Sequence, residues 1–290
     1  MAFSRRHILK WAVAGTVASG LAPKASFLEC LRAKSLPIKL GVTDWNLKQE
    51  CKLEAVGLAK KIGFDGVEIS IGKGTAKLPL SNPDLQHQYV AASKKDNLPI
   101  ASTCLEILHR NVLKSDRLAQ RWVADSIPIT KNVGAKVILL PFFGKGALKT
   151  RQEMDYVADY LKEIAPEAEK TKVILGLENT ISAEDNVRIL DRVKSKAVLV
   201  YYDIGNSTQG GFDILKEIRW LGKERICEFH IKDNPNFLGK GPINIPAVVE
   251  AIAQIGFSGW AHLETDCPTG SVEADMATNL KYLRDLVAKI

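Results

Sequence analysis

From residue 38 onward, strand-like and helix-like segments alternate in a regular beat, and this alternation limits the fold more than any other feature of the chain. The strand-like segments are IKLGVTDW (38–45), GVEISI (66–71), PIASTCLEI (99–107) and KVILLPF (136–142). They continue with KVILGLE (172–178), AVLVYYD (197–203), RICEFHI (225–231) and GWAHLE (259–264). Most are near-continuous apolar runs, the signature of parallel strands covered on both faces. Amphipathic stretches lie between them, among them Leu53–Ile62, Asp116–Val133, Tyr156–Lys170 and Val248–Ile255. A last helix is expected over Ser271–Ile290. The phrases IGFDG and IGFSG put a helix stop ahead of the second and eighth strands, a faint internal echo.

Eight β/α units over about 250 residues predict a single (β/α)8 TIM barrel. An open doubly wound sheet is the alternative, but it would place a Gly-rich phosphate loop after its first strand. The segment LGVTDWNLKQE offers none. The expected organisation is therefore a leader and linker over residues 1–35 and one barrel over 36–290.

The formal charge of +7 is concentrated at the N-terminus. Residues 1–25 hold Arg5, Arg6, Lys10 and Lys24 and no acid, which leaves 36 basic against 33 acidic residues elsewhere. A nucleic-acid footprint is not indicated. SRRHILKW followed by the short apolar WAVAGTVASGLA reads as a twin-arginine export signal, so the twin-arginine machinery is an expected partner and the periplasm the expected location. The cleavage site is unmarked, and an uncleaved anchor is the alternative. Five scattered cysteines (Cys30, Cys51, Cys104, Cys227, Cys267) form no C-x-x-C pair, so buried thiols are expected rather than a zinc ribbon or redox motif.

Four polar residues close the fifth to eighth strand segments: Glu178, Asp203, His230 and Glu264. In a parallel barrel these strand ends converge on one rim. Two glutamates, an aspartate and a histidine form a hard ligand set suited to one divalent ion, Mn²⁺, Mg²⁺, Co²⁺ or Zn²⁺. Taken singly, each could be a helix cap, a salt-bridge partner or a core histidine; their consecutive strands and common end favour a joint site. Such an ion stabilises an enediolate, while two carboxylates exchange a proton α to a carbonyl. Return to the same carbon epimerises, return to the neighbouring carbon isomerises, and loss of a β-substituent eliminates.

The order Glu (ENT), Asp (DIGN), His (HIKD), Glu (ETD) resembles the xylose-isomerase-like barrel superfamily, more narrowly its sugar-phosphate isomerase/epimerase group, over residues 38–288. The resemblance implies one divalent ion on Glu178, Asp203, His230 and Glu264, with Glu178 and Glu264 as the proton-exchanging pair. It also matches Glu184 to a second glutamate after the fifth strand. Ketose epimerases of that group place a histidine where this chain has Asn206 and an arginine where it has Asn236, so free-ketohexose epimerisation and phosphorylated substrates both lose support.

Further substrate-binding candidates are Trp45, Glu68, His109 and Lys232, with Asn206 and Glu184 from the resemblance. Trp45 could stack on a sugar face or simply pack. Glu68 could bind sugar hydroxyls or sit in a buried salt bridge, and His109 could be an acid or a surface-loop histidine. Lys232 could polarise a carbonyl, while Asp233 orients a neighbour or caps a helix. His262 should face inward in a lower layer, and His87 should be solvated. The leading expectation is a metal-dependent sugar isomerase or epimerase acting on a sugar or keto-sugar. A lyase or dehydratase on a keto sugar, keto glycoside or inosose comes next, then a non-catalytic sugar-binding barrel. A three-zinc nuclease on this fold would need more than His87, His109, His230 and His262. A homo-oligomer is left open.

Overall fold

The computed structural model describes residues 38–74 and 76–290; the export signal read over residues 1–35 lies outside the described residues. The strands are β1 (Ile38–Thr43), β2 (Gly66–Ser70), β3 (Ile100–Cys104), β4 (Val137–Pro141), β5 (Ile174–Glu178), β6 (Val198–Asp203), β7 (Ile226–Ile231) and β8 (Gly259–Leu263). Every neighbouring pair is parallel, and β8 returns to β1 with Leu40 opposite Ala261, closing the barrel. The α-helices are α1 (Glu54–Ile62), α2 (Pro83–Asp96), α3 (Arg117–Asn132), α4 (Arg151–Thr171) and α5 (Ala183–Val193). They continue with the short α6 (Ile204–Gln209), then α7 (Ile214–Leu221), α8 (Ile245–Gln254) and α9 (Val272–Val287). No helix among the described residues is long and apolar enough to cross a membrane.

Two expected boundaries move for local reasons. The helix expected from Tyr156 begins at Arg151, because Thr150 and Glu153 form a reciprocal capping box that satisfies two amide donors a turn earlier. The third strand stops at Cys104, and Glu106–His109 winds into a 3₁₀ turn that carries Glu106 and His109 along the rim. Backbone elsewhere follows the same logic: Asn82, Asp116, Ser182 and Asp213 each accept an amide hydrogen bond at a helix start.

Apolar side chains such as Val42, Ile69, Ile138, Leu177 and Leu263 bury the outer face of the strands against the helices. The barrel's inner face is far more polar. Glu68, Ser102, Glu228, His230 and His262 are all essentially without solvent exposure. Glu228 and His262 pair at 3.1 Å, and Tyr201 donates its hydroxyl to Glu68 at 2.8 Å. Cys104, Val137, Leu139 and Tyr201 form a small apolar cluster apart from the main core. Most of these groups are partnered, with Glu68 Oε1 and His262 Nδ1 the exceptions, and the column restricts which side chains can share the interior.

The packing is tight where strands lack side chains. A methyl group at Gly41 would fall well inside contact with the His262 imidazole. Gly41→Ala is therefore expected to cost about 1–3 kcal/mol through overpacking, lowering the midpoint in differential scanning calorimetry by several degrees; an unchanged midpoint would mean that His262 moves freely.

Candidate metal and active site

Four side chains meet at the C-terminal rim of β5–β8. One ligating atom each from Glu178, Asp203, His230 and Glu264 lies within 4.8 Å of the other three. The first three are buried, and Glu264 is partly open. His230 is tied at both ring nitrogens: Nδ1 lies 3.0 Å from Glu178 Oε1, and Nε2 lies 3.0 Å from Glu68 Oε2. Asp203 Oδ2 is 3.7 Å and Glu264 Oε2 3.4 Å from Nδ1. Nδ1 thus faces the carboxylates, and Nε2 is committed to the barrel interior.

Glu68 does not line the cavity that opens at this rim. Its carboxylate is fully buried beneath His230, accepting also from Tyr201, so the buried-pair alternative describes its position. A carboxylate holding the second nitrogen of a ligating imidazole fixes its tautomer and orientation.

Asp203 is positioned by its own helix. Its Oδ1 accepts the amides of Gly205 and Asn206 at 2.7 and 2.8 Å at the start of α6. Oδ2 faces the cluster, where Asn206 Nδ2 approaches it at 3.0 Å and Glu178 Oε1 at 3.3 Å. Lys232 brings a positive charge to the same spot, its Nζ 2.6 Å from Asp203 Oδ2 and 2.5 Å from Glu264 Oε2. Gly205 leaves the room for it, since a Cβ there would sit 2.5 Å from Lys232 Cγ. Trp45 turns its edge to His230 and donates Nε1–H to Glu264 Oε1 at 3.1 Å.

Burial is the main cause of the proton affinities here. It pushes Glu178 up to about 8 against the opposing charge of His230, and raises Glu264 as well. Burial also penalises charged His230 and Lys232, yet the surrounding carboxylates outweigh it and raise both. Asp203 and Glu68 go the other way. Burial would raise them, but Lys232 and His230 hold Asp203 below its ordinary range, and His230 does the same for Glu68.

A cavity of about 290 Å³ opens onto this cluster, at the small end for ligand sites. It is lined by Trp45, Asn206, Lys232, Glu178 and Glu264 on one side and by Glu106 and His109 on the other. His109 stacks on Phe143 with ring centroids 5.9 Å apart, and burial lowers its proton affinity. Glu184 is an exposed residue in the first turn of α5 and does not line the cavity; the helix start turns it to solvent. His87 is exposed on α2, and Asp233 binds the loop amides of Gly241 and Ile243 ahead of α8.

Apart from His109, the side of the cavity opposite the metal-type cluster was not legible in the sequence. Asp44 accepts from Ser70 N and Oγ at 2.8 Å each and from Cys51 N at 3.0 Å, and burial pushes it up to about 7. Glu106 likewise reaches about 7, mainly through burial. An acid inside the apolar run LEIL was the one signal for Glu106; the 55-residue separation from its neighbour Cys51 hid the rest. The four described cysteines are free.

The fold and site define a class: a closed (β/α)8 barrel whose C-terminal rim carries three carboxylates and an imidazole able to hold one cation. Residues 56–286 match the xylose isomerase-like TIM barrel family, and the chain belongs to it. It is 28% identical over 251 residues to an L-ribulose-5-phosphate 3-epimerase of Salmonella paratyphi A, covering 78% of this chain and 86% of the relative. The corresponding Escherichia coli enzyme is 28% identical over 279 residues, covering 87% and 95%. A D-psicose 3-epimerase structure from Clostridium cellulolyticum H10 superposes with a TM-score of 0.74 at 18% identity, covering 86% and 99%. An Escherichia coli 3-keto-D-glucoside 4-epimerase gives 0.68 at 18%, with the same coverage. These relatives are sugar epimerases, isomerase-class enzymes, and the two structural likenesses carry the fold alone.

The proton affinities give stability a sign. Unfolded, Glu178, Asp44 and Glu106 would have released their protons near pH 4; folded, they keep them to about 8, 7 and 7. The folded state then binds more protons, so stability falls as pH rises from about 4 to 8. Raised His230 acts in the same sense, its contribution being lost as pH climbs through its folded value. In chelator, thermal midpoints should be several degrees lower at about pH 8.5 than at about pH 6; a midpoint that rises over this range would contradict the assignment.

Proposed function

We propose that this protein is a divalent-metal-dependent sugar isomerase or epimerase that exchanges a proton α to a carbonyl. The observation that carries the reading is the placement of Glu178 and Glu264 on one cavity beside Asp203 and His230. The donor set fits a hard divalent ion: three carboxylates and one imidazole, with a lysine ammonium already drawn between two of them. When bound, such an ion would supply electrophilic stabilisation of charge developing on adjacent carbonyl and hydroxyl oxygens.

The chain's own residues supply the rest. Glu178 and Glu264 are carboxylates with weakened hydration, which makes them stronger bases toward a carbon-bound proton. Trp45 and Lys232 hold Glu264 from two directions, so its free lone pairs are aimed rather than mobile. Asn206 does the same for Glu178 and Asp203. Glu68 keeps His230 Nδ1 turned to the carboxylates. Sequence relatives named as L-ribulose-5-phosphate 3-epimerases support the reaction class.

Elimination is the second reading. His109 lines the same cavity, where it could protonate a departing β-substituent. We also propose that residues 1–35 direct export to the periplasm by the twin-arginine route, with residues 36–290 forming the mature barrel; the paired Arg5 and Arg6 ahead of a short apolar stretch support this.

With Mn²⁺ in D₂O, keto sugars should gain deuterium at one carbon without change of skeleton, as read by NMR and mass. Glu264→Gln should reduce this by about 10²-fold or more while leaving the thermal midpoint near that of the parent; undiminished exchange would remove Glu264 from the chemistry. Loss of water or an aglycone would instead establish the lyase reading. Glu68→Gln should weaken Mn²⁺ binding by about 10–100-fold in calorimetric titration, and unchanged affinity would show that His230 needs no such support.

A further inference from the structure

The cavity has a second wall, across from Glu178 and Glu264, built by β2, the turn after β1 and the 3₁₀ turn after β3. Glu106 is its most unusual member. The side chain is only 5% exposed, yet it lines the cavity, and its Oε2 has no hydrogen-bond partner. Its other oxygen is anchored: Oε1 accepts from Gly72 N at 2.8 Å and from the Cys51 thiol at 3.4 Å. The thiol is a donor here, because burial and the charges of Glu106 and Asp44 push its proton affinity up. The carboxyl is thus held by one oxygen while the other is buried and unpaired, and a buried polar atom left in this way costs about 1–3 kcal/mol unless a ligand completes it.

The surroundings define what can complete it. The cavity lining contains two cations, and both are taken: Lys73 Nζ sits 2.6 Å from Glu50 Oε1, and Lys232 lies between Asp203 and Glu264. No arginine lines the cavity among the described residues. Arg110, just beyond the 3₁₀ turn, spends its guanidinium on Gly74 O and Asn111 Oδ1. This wall offers a phosphate ester no arginine, the bidentate cation that fits it best, and its one lysine already faces a carboxylate. A sugar hydroxyl has no such requirement. It donates to Glu106 as a carboxylate and accepts from it as a carboxylic acid, and burial places the carboxyl near the balance of the two forms, at about 7.

We infer that Glu106 is the specificity-determining residue of this cavity, receiving a hydroxyl at the end of the substrate remote from the reacting carbon, so that the substrate class is an unphosphorylated sugar or glycoside. This rests on the proposed reaction, whose site forms the other wall. It separates this chain from the relatives named for ribulose 5-phosphate, whose substrate carries a phosphate at one end.

The test compares matched pairs. L-ribulose and D-fructose, each as the free sugar and as its terminal phosphate ester, are incubated with the full chain and Mn²⁺ in D₂O, and kcat/KM for exchange is measured for each. The parent protein should favour the free member of at least one pair. Glu106→Gln keeps the anchoring carbonyl oxygen toward Gly72 and Cys51 but cannot donate and accept in turn. It should lower kcat/KM for the free sugar by about tenfold, chiefly through KM, and shrink the free-to-phosphorylated ratio. Glu106→Leu should lower it further. Preference for the phosphate ester, an unchanged ratio in Glu106→Gln, or exchange with no free sugar would overturn the assignment. Mn²⁺ titration without sugar keeps the two proposals apart. Metal binding with exchange of phosphate esters alone preserves the reaction and removes the role of Glu106, whereas loss of both metal binding and exchange ends the proposed function itself.

Discussion

The hydrogen bond between Glu68 and His230 is the constraint on which the site depends. It spans the barrel from β2 to β7, and both side chains are without solvent exposure. A carboxylate buried this deeply is tolerated only with a charged or donating partner; removing one member of such a pair typically costs about 3–5 kcal/mol. The imidazole is consequently a fixed piece of the interior. Because Nε2 is committed downward, Nδ1 has one direction left, toward Glu178, Asp203 and Glu264. Tyr201 reinforces the arrangement by donating to Glu68 and placing its ring 4.6 Å from His230. The polar column that looks wasteful in a barrel core is what sets the rim geometry.

Backbone geometry adds a second layer. Asp203 ends a strand and begins a helix at once, so its carboxylate is divided between two amides of α6 and the cluster. That split turns Oδ2 toward the site without any further side chain. Gly205, two residues on, leaves the passage through which Lys232 reaches the carboxylates. The tetrapeptide DIGN is therefore read at three positions: a site carboxylate, a gap for a lysine and, in Asn206, a donor to two carboxylates.

Most of the architecture was legible because parallel strands covered on both faces read as largely apolar runs, and eight of them alternate with helical stretches. The family relation and the meeting of Glu178, Asp203, His230 and Glu264 follow from the same regularity, since consecutive strand ends of a closed barrel must be neighbours. Glu68 and Glu184 show where the reading stops. Inward direction on a strand does not give depth, and Glu68 lies one layer below the cavity. Glu184 matched a motif position, but its place in the first turn of α5 carries it outward. The far wall sets Ser70 of β2 and Glu106 of a 3₁₀ turn against Asp44 and Cys51 from the turn after β1, segments with no shared periodicity, so only the fold could bring it together.

Charge balance links the two walls. Around His230, three carboxylates face one imidazole and one ammonium, and the proton affinities of Glu178, His230 and Lys232 all rise in consequence. The cluster therefore already holds positive charge as protons and as the lysine. A dication would be accommodated as some of that charge leaves as protons, from His230 and from Glu178. The Lys232 side chain is 12% exposed at the cavity edge and stays within reach of both carboxylates. The far wall carries the buried carboxyl of Glu106, and Lys73 there faces Glu50. A ligand that is polar but uncharged at its remote end satisfies both walls without importing a second anion into a cavity already rich in them.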